Sequence, residues 1–138
     1  MKKYVLFLMF PLLLILLSSD VSATPEQKAI YASNPRYAVA YTFEDGACFV
    51  DLASIAAEEY NPPRYQISAT TYFIADSQPQ IAVRFITFRY NYEEQVIYIE
   101  SMDGKWYWLN PDENPISMCQ IRLADFLFRH CYRMSFIR

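Results

Sequence analysis

Residues 64–90 read RYQISATTYFIADSQPQIAVRFITFRY. The stretch contains two runs rich in β-branched and aromatic residues, 64–75 and 80–90, which are separated by a polar turn at 76–79. Apolar and polar side chains alternate along much of the first run. This period-2 pattern predicts a strand with one face that is exposed to solvent or only partly covered. The second run is largely apolar on both faces, so it predicts a central strand that is covered on each side.

An Asp-Gly pair lies on each side of this stretch, Asp45-Gly46 before it and Asp103-Gly104 after it. Asp-Gly between two strand-like runs is a strong signal for a two-residue hairpin turn, because glycine tolerates the positive φ that the turn requires. Two hairpins and the two central runs together predict six strands. The hairpins would join Tyr37–Phe43 to Ala47–Leu52 and Gln95–Ser101 to Lys105–Leu109.

One amphipathic helix is predicted near the C-terminus. The residues from Ser117 to Gln120 fit a capping box, which would start the helix near Met118. A short helical turn is also expected within Asp51–Tyr60. The sequence therefore predicts an α+β fold, a six-stranded antiparallel sheet with one C-terminal helix packed on one face. The apolar stripe of that helix contains Ile121, Ala124, Leu127, Phe128 and Cys131.

Residues 1–23 have the three-part layout of a secretory signal peptide, with two lysines, the apolar run 4–17 and small residues before Ala23. A 14-residue run spans about 21 Å as a helix, short of the roughly 30 Å of a bilayer core. Cleavage after Ala23 is therefore favoured over a retained anchor. We expect export to the periplasm, cell surface or extracellular space, with a linker at 24–36 and one binding domain at 37–138.

Composition argues against several function classes. A net charge of −3 argues against nucleic acid binding, and Gly46 and Gly104 are too far apart for a glycine-rich phosphate loop. One histidine and three cysteines leave too few ligands for the common zinc sites. Cys119 and His130 would lie at different levels of one helix, so they cannot act together as nucleophile and base. We expect no enzyme activity, no cofactor and no metal.

Export would place Cys48, Cys119 and Cys131 in an oxidising compartment. Cys119 and Cys131 would lie about 18 Å apart along the helix, too far for a disulfide. Cys48 with Cys131 is the preferred disulfide, and two reduced core cysteines are the alternative. Cys119 is expected to be an inert, partly buried thiol or to form an intermolecular bridge.

The tripeptide Trp106-Tyr107-Trp108 would place two indoles on one face of a strand and a phenol on the other. Exposed tryptophan and tyrosine are favoured in recognition, so these residues and the neighbouring Tyr98 are the candidate ligand-binding residues. Packing of the tripeptide against the helix is the alternative. Apolar residues on both faces of strands such as 37–43 also predict a cover for the second face, either a homodimer or a bound partner.

Three stretches, Phe49–Ile55, Phe88–Tyr92 and Asp103–Pro111, together with the C-terminal helix, resemble the surface-adhesin protein E family of bacteria. The resemblance covers residues 37–136. It implies an antiparallel sheet with a C-terminal helix tied to it by a disulfide, often a dimer, and location at the cell surface. The best-known member of that family binds host matrix proteins. This chain lacks the cysteine that many relatives carry in the strand matching 90–92, and it lacks a lipoprotein cysteine.

These observations predict an exported, non-enzymatic, adhesin-like binding module that recognises a protein ligand. The alternative is a structural or assembly subunit of the cell envelope that self-associates through its sheet. In either case the partner would be a protein or a second copy of the chain. No nucleic acid and no stable membrane anchor are expected after cleavage of the signal peptide.

Overall fold

The computed structural model describes residues 20–22 and 25–138. An antiparallel sheet and a C-terminal helix confirm the predicted α+β class. The predicted signal peptide lies outside the described residues except for 20–22. In chain order the elements are β1 (Asp20–Ser22), α1 (Pro25–Ser33), β2 (Tyr37–Phe43), β3 (Gly46–Asp51), a 3-10 turn (Leu52–Ser54), β4 (Ala56–Asn61), β5 (Arg64–Ala75), β6 (Gln80–Asn91), β7 (Val96–Glu100), β8 (Trp106–Trp108) and α2 (Pro115–Tyr132).

The sheet has the strand order β2-β3-β5-β6-β7-β8, with β4 paired to β5 and β1 paired to β6. Its longest ladder joins β5 to β6, from Arg64 opposite Asn91 to Phe73 opposite Ala82. Strand β6 is central, as its apolar residues predict, but the prediction that it is covered on each side is wrong, since Phe85 is 68% exposed near its middle. All six predicted strands are present, and β1 and β4 are additional. Strand β4 has no apolar alternation and is exposed along its length, so it is a strand because β5 offers it an open edge.

Both hairpins are present, but neither has the predicted turn. In the second, Glu100 pairs with Trp106, so five residues and not two connect the strands. In the first, the two-residue turn is shifted by one position. Phe43 pairs directly with Gly46, so the two turn residues are Glu44 and Asp45. Gly46 does not have a positive φ, whereas Gly104 does, with φ of 79°. Gly46 is required for another reason, because a Cβ atom at this position would lie 2.0 Å from the carbonyl oxygen of Ile74. Close approach of β3 to β5 therefore selects glycine here.

The predicted linker at 24–36 contains helix α1, which packs on the face of the sheet that α2 leaves open. The Tyr31 ring lies 4.8 Å from Tyr37 and 5.1 Å from Tyr72, measured between centroids. Lys28 Nζ donates hydrogen bonds to the carbonyl oxygens of Ala75 and Gln78. The chain itself therefore covers part of the face for which the sequence predicted a second copy or a partner. Under α1 lies a small core of Phe49, Ile74 and Ile81.

Helix α2 begins earlier than predicted. Asn114 is the N-cap, and its Oδ1 accepts a hydrogen bond of 2.9 Å from the backbone N–H of Ser117. Pro115 follows at the first helical position, where its missing N–H costs nothing. The predicted capping box is therefore wrong. Asn114, and not Ser117, caps the helix, and the backbone N–H of Ser117 already has its hydrogen-bond partner in Asn114. The predicted stripe does face the sheet, with Ile121, Ala124, Leu127 and Phe128 buried and Cys131 half-buried.

The residues after α2 fold back onto the core. Arg133 adopts a left-handed conformation with φ of 58° and ends the helix. Asp125, buried on α2, accepts a 2.8 Å hydrogen bond at Oδ1 from the backbone N–H of Phe136 and pairs with Arg129 through Oδ2 at 2.9 Å. Phe136 is 2% exposed and packs against the ring of Phe128 at 5.3 Å. The last residues therefore close one end of the helix–sheet core.

Truncation of this tail side chain is predicted to destabilise the fold. Phe136→Ala should lower the free energy of unfolding by about 3 kcal/mol, since it removes a fully buried ring and leaves a cavity. Ile137→Ala is the matched control, because Ile137 is the next residue and is half exposed; its effect should stay within about 0.5 kcal/mol. Equilibrium urea denaturation measures both values. Equal losses in the two variants would contradict a buried role for Phe136.

A buried carboxylate joins the start of β2 to the end of β3. Arg36 donates hydrogen bonds of 2.9 Å from Nε and from Nη2 to the two oxygens of Asp51. The same carboxylate accepts a hydrogen bond of 3.0 Å from the backbone N–H of Ala53 and so caps the 3-10 turn. The hydrogen bonds from Arg36 are the main reason that the pKa of Asp51 is lowered from its ordinary value. Asp51 is therefore an anion in the folded protein at neutral pH.

Because the pKa of Asp51 is lower in the folded than in the unfolded chain, its contribution to stability is present above about pH 4. That contribution is lost as the pH falls through the folded pKa. Asp51→Asn should therefore cost about 1.5 kcal/mol at pH 7, a figure that allows for the exposure of Arg36. The difference from the unmutated protein should shrink below about pH 4. Urea titrations from pH 7 to pH 2.5 test this, with Glu44→Gln, a substitution at an exposed acid of the hairpin turn, as the matched control.

Candidate functional site

A row of polar and aromatic residues crosses four strands on the face away from α2. Gln66 pairs with Arg89, Arg89 with Tyr98, and Tyr98 with Trp108. Directly paired residues point to the same face of an antiparallel sheet. The next row, which passes through Phe88 and Ile99 to Tyr107, lies on the α2 face, where Phe88 is fully buried.

The structure brings together three of the four candidate ligand-binding residues. Trp108 is 52% exposed, Tyr98 is 38% exposed, and Trp106 is half-buried on the same face. Tyr107 is 50% exposed but lies on the opposite face. The alternative prediction, that this tripeptide packs into the core under the helix, is wrong for Tyr107 and Trp108, since half of each side chain is exposed. We call Arg89, Tyr98, Trp106 and Trp108 the aromatic platform.

Arg89 contacts its neighbours in the platform, and the sequence did not predict it as a ligand-binding residue. Its guanidinium carbon lies 3.9 Å from the centroid of the Trp106 ring, a cation–π contact. Its Nε donates a 2.9 Å hydrogen bond to Gln66 Oε1. Gln66 in turn donates a hydrogen bond of 2.5 Å to one carboxylate oxygen of Glu58. The buried Ser68 donates a hydrogen bond of 2.8 Å to the other oxygen. The signal in the sequence that could have indicated Arg89 is its position between apolar residues of a predicted central strand.

A cavity of about 300 Å³ adjoins the platform. Arg89 and Tyr98 belong to both, so the platform and the cavity form one continuous site. Side chains of both charges surround it, and hydrogen-bond donors and acceptors are both present. The lining residues are Glu59, Arg64, Tyr65, Arg89, Tyr90, Asn91, Glu94 and Tyr98.

Two further observations apply to residues 20–22 and 25–138. None of their histidine, cysteine, aspartate and glutamate side chains form a group of three or more that is placed to hold a metal ion. No helix in this part of the chain is long and apolar enough to cross a membrane.

The predicted disulfide between Cys48 and Cys131 is not formed, and all three thiols are free. Cys48 lies between its strand partners Tyr41 and Phe73, and both of these line an apolar cavity of about 340 Å³ together with Cys119. Cys48 and Cys119 are close enough to interact electrostatically. The helix therefore runs in the direction that brings Cys119 near β3.

Cys131 lies at the other end of α2. Burial is the main reason that the pKa of Tyr90 and of Tyr132 is raised, and the nearby Cys131 thiol raises both further. It is twelve positions after Cys119, which corresponds to about 18 Å along the helix. The prediction chose the wrong end of the helix because both cysteines face the sheet side, and helical periodicity does not give the direction of the helix across the strands.

No family model, curated protein or solved structure matches this chain. The resemblance to the surface-adhesin protein E family therefore remains a hypothesis. What the described residues define is an α+β protein with one sheet face closed by a helix and the other face partly open.

The three thiols are predicted to differ in reactivity. Burial raises the pKa of Cys48 to about 12, and this thiol is fully buried, whereas Cys119 and Cys131 are partly exposed. Because the thiolate is the reactive form, iodoacetamide at pH 8 should alkylate Cys119 and Cys131 and leave Cys48 unmodified until denaturant is added. Peptide mass spectrometry over time measures the order. Alkylation of Cys48 as fast as Cys119 in the folded protein would contradict this packing.

Proposed function

We propose that this chain is an exported, non-enzymatic binding module that recognises a protein ligand through the aromatic platform. The observation that carries the proposal is the exposure of Tyr98 and Trp108 beside an arginine that is already held in place. Tryptophan, tyrosine and arginine are the residue types that contribute most binding energy at protein interfaces. Their presence on one face supports recognition there.

The platform is also preorganised, which supports binding. Arg89 is fixed by the ring of Trp106 and by Gln66, while Tyr98 and Trp108 lie on paired strands. Side chains that are already ordered lose less conformational entropy when a ligand binds. More of the contact energy would therefore remain as affinity.

The positions of Cys119 and His130 support a non-enzymatic role. The two residues are eleven positions apart in α2, or about 16 Å along its axis. A thiol nucleophile and its base need to lie within hydrogen-bond reach. Export rests on the signal-peptide pattern of residues 1–23, and the acidic net charge of −3 fits a partner that is not nucleic acid.

A self-assembling envelope subunit is the second candidate. Phe85 is 68% exposed near the middle of β6, and Val39 on the edge strand β2 is 45% exposed. Phe85 points to the same face as Arg89, since the two are four residues apart on one strand. An exposed ring in the middle of a sheet face favours contact with a second apolar surface.

Removal of one platform ring should weaken ligand binding. We expect Trp108→Ala to reduce affinity for a bound matrix protein at least tenfold, or about 1.4 kcal/mol. Tyr107→Ala is the matched control, because Tyr107 is the adjacent residue, equally exposed and on the other face; its affinity should change less than about twofold. Biolayer interferometry against a panel of purified extracellular-matrix proteins gives both values.

Two outcomes would count against this function. Equal loss in both variants would show that the platform face is not the contact. Absence of binding to the whole panel, together with a stable dimer that Phe85→Ser dissociates in sedimentation experiments, would favour the self-assembling subunit instead.

A further inference from the structure

The cavity beside the platform is lined by polar as well as apolar surface. Of its lining residues, Tyr65 and Tyr90 are almost fully buried and belong to the core under α2, so their rings point away from the open face. The remaining ring is that of Tyr98 at the border with the platform. An isoleucine, leucine or phenylalanine side chain would therefore contact polar atoms as well as apolar ones in this cavity, which lowers the gain from burying it.

The charges around the cavity balance. Two arginines, Arg64 and Arg89, face two glutamates, Glu59 and Glu94. A ligand of net positive or negative charge would meet as much repulsion as attraction at this site. The cavity therefore favours a ligand that is polar but uncharged.

These side chains offer donors and acceptors in close proximity. Guanidinium groups only donate hydrogen bonds and carboxylates only accept them, and the amide of Asn91 carries both functions. A hydroxyl group both donates and accepts, so neighbouring hydroxyls on one ring use such a mixed lining fully. Hydrogen bonds to charged partners are also the stronger ones.

The platform adds flat apolar surface next to this polar cavity. Tyr98 and Trp108 are directly paired across β7 and β8, which places their Cβ atoms about 5 Å apart. A sugar ring presents C–H groups on one face and hydroxyls at its rim, so it can lie on an aromatic ring while its hydroxyls reach polar groups. Trp106 already holds Arg89 at 3.9 Å, so we assign it a positioning role.

We propose that the platform and its cavity bind a neutral glycan, with one sugar ring on Trp108 and Tyr98 and hydroxyl groups in the cavity. The volume of about 300 Å³ is at the lower end for ligand sites and fits a short oligosaccharide. This inference rests on the proposed function, because it names the carbohydrate of a glycosylated protein as the part of the ligand that is recognised.

The direct test is a glycan array that contains neutral, sialylated and sulfated oligosaccharides, probed with the purified protein. We expect binding to neutral oligosaccharides, reduced at least tenfold in Trp108→Ala and in Arg64→Gln. Trp108→Tyr, which keeps a stacking ring, should retain most of the binding, and Tyr107→Ala should change it less than about twofold. Circular dichroism spectra of all four variants show whether each one is folded.

A second experiment separates the glycan inference from the proposed function. Matrix proteins from the panel are compared before and after enzymatic removal of their glycans. Loss of binding after deglycosylation supports the inference. Retained binding that still requires Trp108 would overturn the glycan inference and leave the binding module intact. Preference for sialylated or sulfated glycans would overturn the inference that the ligand is neutral. Absence of binding to both the array and the panel would overturn both proposals.

Discussion

The packing of Phe128 against the central strands is the contact on which the rest of the structure depends. Its ring lies 5.0 Å from Tyr65 and 5.3 Å from both Tyr90 and Phe136. The buried Tyr90 hydroxyl donates a 2.7 Å hydrogen bond to the carbonyl oxygen of Ala124, so the core is fixed by a polar contact as well as by packing. Helix α2 therefore covers one face of the sheet and leaves the other face for contacts of a different kind.

The second face is divided along its length. One end lies under α1, where Tyr31 and Lys28 attach the helix to the strands. The other end carries Arg89 and Trp108 with no element above them among the described residues. Arg89 places a charge beside the Trp106 ring, and its hydrogen bond to Gln66 continues to Glu58, so this open end carries polar groups among its rings. The proposed binding site lies at this end of the sheet.

Much of the fold could be predicted because its signals are local. Two Asp-Gly pairs marked the hairpins, and period-2 alternation marked the central strands. Helix α1 and strand β4 escaped prediction because neither has a continuous apolar face of its own, and each depends on surfaces supplied by β5 and its neighbours. Phe136 was missed for a similar reason, since its burial depends on Asp125, eleven residues earlier.

The sequence alone determined that Trp106 and Trp108 share a face that Tyr107 does not, because side chains alternate with a period of two along any strand. It also determined that Cys119 and Cys131 cannot pair, because helical rise separates them. Only the tertiary structure decided that Arg89 lies over Trp106 and that Cys48 lies near Cys119. Those contacts depend on strand register and on the direction of α2, which are set by packing between residues far apart in the chain.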